Sequence, residues 1–174
     1  LAGMLMAARK LPGAMRFVTD ELGHVHGELD KAVEQGKTAF NGFELAGQTL
    51  GIVGLGKVGC LVADAAIKLG MDVLGYDPDI TVDAAWSLPS QVRRAGSVSE
   101  VLRSGRFVTL HVPLVDATRH LVNADNIGLM PRGAVLLNFS RQGVVSDEAA
   151  LAALDTGALG AYVCDFPSAQ LLRH

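Results

Sequence analysis

The sequence predicts an α/β fold, a doubly wound parallel sheet with helices on both faces, preceded by a helical N-terminal segment. Three observations predict it. Short apolar runs alternate with stretches of helical periodicity from Thr49 to Cys164, the pattern of a parallel sheet covered by helices. The first of those runs opens directly into a glycine-rich turn and a helix. An acidic residue then closes the next run.

Composition agrees with such a fold. The 174 residues suffice for one sizeable core. With 49% hydrophobic and 19% charged residues, the chain has the balance of a globular domain and not of a disordered one. The net charge of -3 is spread along the chain, and no basic stripe points to nucleic acid. Two cysteines, Cys60 and Cys164, form no CxxC pattern, so neither a disulfide framework nor a zinc site is indicated. No apolar run is long enough to span a membrane, and a cytoplasmic location is the expectation.

The elements follow in order. Leu1 to Ala8 is apolar and reads as a packed helix. Met15, Val18, Leu22, Val25, Leu29 and Val33 recur at steps of three and four, one face of a helix that Gly23 and Gly27 weaken and Gly36 stops. Lys37 to Gln48 is a polar connection, which makes residues 1–46 a helical lead-in and linker within a single domain, 1–174. Thr49 to Val53 is a strand; Val58 to Leu69 carries a helix that ends at Gly70; Asp72 to Tyr76 is a second strand. Ser97 and Glu100 have capping-box spacing ahead of a short helix. Phe107 to Val112 reads as a strand, Asn123 as the cap of a helix stopping by Pro131, and Ala134 to Leu137 as a buried strand. Ser146 caps the next helix, with Asp147 and Glu148 well placed in its first turn. Leu159 to Cys164 is the last strand.

Gly54-Leu55-Gly56-Lys57-Val58-Gly59 is a G-x-G-x-x-G sequence in its meaningful context, after a strand and at the start of a helix. The first glycine permits the tight turn, the second lets backbone approach a pyrophosphate, and the third allows close helix–strand packing. The helix N-terminus then offers free N–H groups to the phosphates. Asp77 stands at the end of the next strand, where a carboxylate accepts hydrogen bonds from the adenosine ribose. It also repels a 2′-phosphate, and no arginine adjoins it, which favours NAD over NADP as the cofactor of a Rossmann domain.

With these residues placed, the chain resembles the coenzyme domain of the D-isomer-specific 2-hydroxyacid dehydrogenases. Four stretches carry the resemblance: Leu50 to Gly59, Leu110 to Leu114 with Thr118, Leu137 to Arg141, and Asp165-Phe166-Pro167. The runs Leu136 to Arg141 and Tyr162 to Pro167 are most similar to the D-3-phosphoglycerate dehydrogenase branch. The resemblance implies that Arg141 is the catalytic arginine that orients the substrate carboxylate, for which a planar guanidinium is suited. It implies that Asp165, with backbone at Phe139, holds the nicotinamide carboxamide, and it places Ser140 among the cofactor-binding residues. His111, Val112 and Pro113 would line the cofactor cleft, with Thr118 near the ribose.

Two departures bear on activity. The family's glutamate, partner of its catalytic histidine, falls on Gln170 when counted from Arg141 without gaps. A glutamine can bond an imidazole but cannot stabilise its cation. Gln142 replaces the glycine usual after the arginine, with Gly143 following. The resemblance also places the substrate-binding domain and the acid–base histidine outside these residues. The expectation is therefore an NAD-binding domain of a dehydrogenase that acts on a small 2-hydroxyacid, forms a homodimer, and is close to inactive as this chain alone. The alternative is a non-catalytic NAD-binding redox sensor or interaction module. The remaining residues receive plainer readings: Cys60 as small apolar packing, Trp86 as local packing, and His24 and His26 as helix residues facing different ways.

Overall fold

The computed structural model describes residues 1–24 and 27–173. It divides into two compact units, Ala2–Leu45 and Ala46–His174, the latter counted with Leu1. In the smaller unit, α1 (Ala2–Ala8) and α2 (Leu11–Arg16) lead into a π turn (Phe17–Glu21), a 3-10 turn (Leu22–His24), α3 (Leu29–Gly36) and a further 3-10 turn (Lys37–Phe40). The Phe17 and Phe40 rings pack 5.3 Å apart, and Lys10 Nζ donates to the Ala39 carbonyl at 3.0 Å.

The long helical face expected from Met15 to Val33 is therefore broken into short pieces. The glycines are the physical cause: Gly23 and Gly27 sit where propagation is already weak, and tertiary packing does not restore one axis. Val25 and His26 lie outside the described residues, and with them the His24/His26 pair.

The larger unit carries β1 (Thr49–Val53), α4 (Lys57–Lys68), β2 (Asp72–Tyr76), α5 (Val82–Ser87), β3 (Arg93–Arg94), α6 (Val98–Ser104), β4 (Phe107–Leu110), β5 (Ala134–Asn138), α7 (Asp147–Asp155) and β6 (Leu159–Cys164). All six strands pair in parallel in the order β3-β2-β1-β4-β5-β6. This is the dinucleotide-binding order, with its reversal between β1 and β4. Every residue of β4 and β5 is buried, as a sheet covered on both faces requires. Val101, Leu102, Val108, Leu110, Leu136 and Ala150 are fully buried in the core on one side of it.

Local signals hold where capping chemistry is explicit. Ser146 Oγ accepts the Ala149 N–H at 3.3 Å. Ser97 Oγ accepts the Glu100 N–H at 3.2 Å, and Glu100 reaches back to the Gly96 N–H at 2.8 Å, one residue earlier than a reciprocal box would have it. The helix expected after Asn123 is only a 3-10 turn, Ile127–Leu129. Asn123 Oδ1 accepts the Asp125 N–H at 2.9 Å, and this local side-chain turn competes with helix. Two elements have no counterpart in the sequence reading: α5, capped by Thr81, and the two-residue β3.

Candidate functional site

β1 ends by donating its direction to the glycine turn. Gly54 has φ 94°, and a Cβ there would stand 2.5 Å from the His111 carbonyl oxygen, so only glycine fits between β1 and the end of β4. At Gly59 a Cβ would collide with the Gly54 carbonyl oxygen, which fixes the close approach of α4 to the turn. At Gly56 an added Cβ would meet nothing within 4 Å. The three positions thus separate into turn, open face and packing contact, as the spacing predicts. Gly56 is also the N-cap of α4 and no side chain caps it, which leaves the first N–H groups of a twelve-residue helix for a ligand.

The Asp77 carboxylate is drawn into this turn. Its Oδ2 accepts the Leu55 N–H at 2.8 Å and its Oδ1 accepts the Asp79 N–H at 3.0 Å. A carboxylate has about four lone-pair sites, so each oxygen keeps capacity for a ribose hydroxyl.

On the other side of α4's N-terminus lies a cavity of about 530 Å³ lined by Val58, His111, Val112, Pro113, Leu114, Phe139, Ser140 and Arg141. It joins the glycine-turn helix to the ends of β4 and β5, at the reversal of strand order where open α/β sheets bind ligands. His111 donates its N–H to the Val53 carbonyl at 2.7 Å, and its Nε2 lies 3.1 Å from Thr109 Oγ1. Burial pushes its pKa down to about 4, so the imidazole is neutral at pH 7. A second cavity, of about 700 Å³, lies between α4 and α5 and is bordered by Gly56, Lys57 and Cys60. Cys60 is buried with its Sγ 3.3 Å from the Leu55 carbonyl oxygen, and burial raises its pKa. It packs, as expected, with burial and the nearby Asp77 charge both disfavouring the thiolate.

Arg141 projects from a loop held by one residue that sequence reasoning missed. Asn138, buried at the end of β5, accepts from Ser140 Oγ at 2.7 Å and from the Ser140 N–H at 3.2 Å. Its Nδ2 donates to the Arg141 carbonyl at 3.0 Å and lies 3.4 Å from the Tyr162 hydroxyl. The only signal was a polar residue closing an otherwise apolar strand. The Arg141 side chain donates to the Ser140 carbonyl at 2.7 Å and has no ion-pair partner among the described residues. Gln142 is accommodated as the second residue of a turn closed by the Val144 N–H to the Arg141 carbonyl at 3.4 Å. The positive φ this turn demands, 85°, falls on Gly143.

Other predicted positions stand further out. The Thr118 hydroxyl is engaged within its own loop, accepting the Val115 N–H at 2.9 Å and donating to the Pro113 carbonyl. It braces Pro113 and does not line the cavity. Lys57 is exposed at the first turn of α4. Asp165 is exposed just beyond β6, its N–H 3.4 Å from the Asn138 carbonyl. Gln170 is exposed in the turn before Leu171–Arg173 and borders neither cavity. Trp86, expected to pack locally, is 85% exposed; it shares the outward face of the short α5 with Val82, one turn earlier.

A glycine turn with an open second glycine, an uncapped helix N-terminus, an acid at the end of β2 and a cavity at the strand-order reversal define a Rossmann dinucleotide-binding domain. The chain belongs to the NAD-binding domain family of the D-isomer specific 2-hydroxyacid dehydrogenases, which it matches over residues 1–173. It is 36% identical over 162 residues to the D-3-phosphoglycerate dehydrogenase of Methanocaldococcus jannaschii, covering 93% of this chain and 28% of that protein. It is 38% identical over 135 residues to the (S)-sulfolactate dehydrogenase of Chromohalobacter salexigens, covering 77% of this chain and 43% of that one. The solved D-lactate dehydrogenase of Aquifex aeolicus, complexed with NAD and lactic acid, superposes with a TM-score of 0.79 at 26% identity, over 97% of this chain and 46% of its own. The chain spans roughly a quarter to a half of the length of these relatives. No helix among the described residues is long and apolar enough to cross a membrane.

Proposed function

We propose that this chain is the coenzyme-binding part of a cytoplasmic, NAD-dependent D-2-hydroxyacid dehydrogenase of the D-3-phosphoglycerate dehydrogenase kind. The observation that carries the reading is the cavity that sets an unpaired Arg141 beside His111 and the N-terminal turn of α4. Gly56 and the first N–H groups of α4 would hold the pyrophosphate, and Asp77 the adenosine ribose. Phe139, Ser140 and Asp165 would meet the carboxamide. When bound there, NAD supplies hydride acceptance or donation.

The chain's own residues do the positioning. Arg141 presents a guanidinium whose fork matches a carboxylate bidentately. Neutral His111 and the apolar Val112, Pro113 and Phe139 keep that surroundings poor in competing charge. A group to take the substrate's hydroxyl proton is supplied from outside these residues. Exposed Leu5, Met6, Leu11, Met15 and Val18 in the smaller unit support a homodimer. The sensor reading has Gln170 in its favour, but a sensor has no use for a free arginine in the cofactor cavity.

The purified chain is expected to bind NADH and to turn over D-2-hydroxyacids negligibly. Turnover at ordinary enzyme rates would overturn the division of labour. In a protein that unites this domain with a substrate domain, Arg141→Ala is expected to lower kcat/KM by roughly 100-fold; unchanged kcat/KM would remove Arg141 from the reaction.

A further inference from the structure

No arginine adjoins Asp77 in the sequence, but the sheet brings one near it. The neighbouring strand β3 consists of Arg93 and Arg94, paired in register with Leu74 and Gly75 of β2. Residues in register on parallel strands face the same side of the sheet. A Cβ on Gly75 would stand 2.9 Å from the Leu55 side chain, so Gly75 and Arg94 share the face on which Leu55 lies. Asp77, two residues beyond Gly75, follows on that same face. Arg93 instead shares a face with Leu74, in the core on the opposite side.

Leu55, Gly75, Asp77, Ile80, Arg93 and Arg94 border one cavity of about 300 Å³. A side chain at Gly75 would collide with Leu55, so the strand is kept bare beneath that leucine. Among the described residues, neither arginine side chain has a hydrogen bond or an ion pair. Asp77 is not an ion-pair partner either; its oxygens take backbone N–H groups of Leu55 and Asp79. An uncommitted guanidinium therefore borders the same cavity as the carboxylate that would meet the adenosine ribose.

We propose that Arg94 is a cofactor-selectivity residue: it borders the space a 2′-phosphate on that ribose would enter, and Asp77 opposes the attraction it exerts there. The inference rests on the proposed placement of the ribose at Asp77. A phosphomonoester carries roughly -1.5 to -2 charge at pH 7, which the Asp77 carboxylate repels and the Arg94 guanidinium attracts. NAD has no group for Arg94 to hold.

The test is a fluorescence titration of the chain with NADH and NADPH, for the unaltered protein and for Arg94→Ala, Asp77→Asn and the double variant. Asp77→Asn keeps the side chain's shape and an acceptor for Leu55. It is expected to bind NADPH roughly tenfold or more tightly than the unaltered chain, the range of a charge-assisted hydrogen bond. Adding Arg94→Ala is expected to cancel that gain. Arg94→Ala alone is expected to weaken NADPH and leave NADH within about twofold, which reads the proposal even where Asp77→Asn does not fold. If NADH binds and Arg94 substitutions leave NADPH unchanged, the role of Arg94 is overturned and the ribose placement stands. If the unaltered chain takes up neither cofactor, the ribose placement fails and the inference with it.

Discussion

The two sides of α4's N-terminus are built differently. On one side the glycine turn and Asp77 form a site made of backbone, already closed on itself by the hydrogen bond from Leu55 to Asp77 at 2.8 Å. On the other, Arg141 reaches from a loop with a single bond to its own neighbour's carbonyl, while Asp165 and Gln170 lie exposed and apart. The first region is held together by bonds within the described residues. The second, on the function proposed above, is one arm of a substrate site. The contrast teaches that the two regions are held in different ways: the turn is under steric constraint from the fold, and the arginine side chain is not.

The sharpest way to break that contrast is to disturb the turn. Gly59→Ala places a methyl group against the Gly54 carbonyl oxygen and is expected to destabilise the fold by about 3 kcal/mol. Urea denaturation checks this, and an unchanged midpoint would mean α4 can move away from β1 freely. Asn138→Ala comes next, because it leaves the buried Ser140 hydroxyl without its partner and removes one of the two donors to the Arg141 carbonyl. A loss of about 2 kcal/mol is expected in the same assay.

His111 sharpens the contrast through pH. Its folded pKa, about 4, is below the ordinary 6.5, so the unfolded chain binds the proton more readily between those values. Stability is then full above pH 6.5 and falls as pH drops toward 4. Thermal melts of His111→Gln across that window are expected to lose this part of the slope; an unaltered slope would assign it to other groups. The smallest effect is expected at Arg141. With no ion pair to lose, Arg141→Ala should shift stability by less than about 0.5 kcal/mol and NADH affinity of this chain by less than about twofold. A large loss of either would tie the arginine to the turn after all.

Legibility in the sequence follows the same division. The glycine turn, Asp77, the five longer strands and the Ser146 cap were readable because each depends on local backbone demands that only certain residues meet. The cavity was readable in parts: His111 to Pro113 and Phe139 to Arg141 meet there, but Thr118 braces its loop instead of facing the cavity. Asn138 escaped because its partners are set by tertiary placement, not spacing. The proximity of Arg94 to Asp77 escaped for the same reason, since β3 is only two residues long and too short to leave a periodic signal. The Met15 to Val33 periodicity misled because glycines made it a sum of short turns.

The most direct test of the central claim is a paired NADH titration of the unaltered chain and Gly56→Ala, with a thermal melt of each. A methyl group at Gly56 meets no protein atom within 4 Å, so it can disturb only a bound molecule. The account predicts saturable NADH binding to the unaltered chain, weakened about tenfold or more by Gly56→Ala, with the two melting temperatures alike. Equal affinities, or no saturable binding to the unaltered chain, would contradict it.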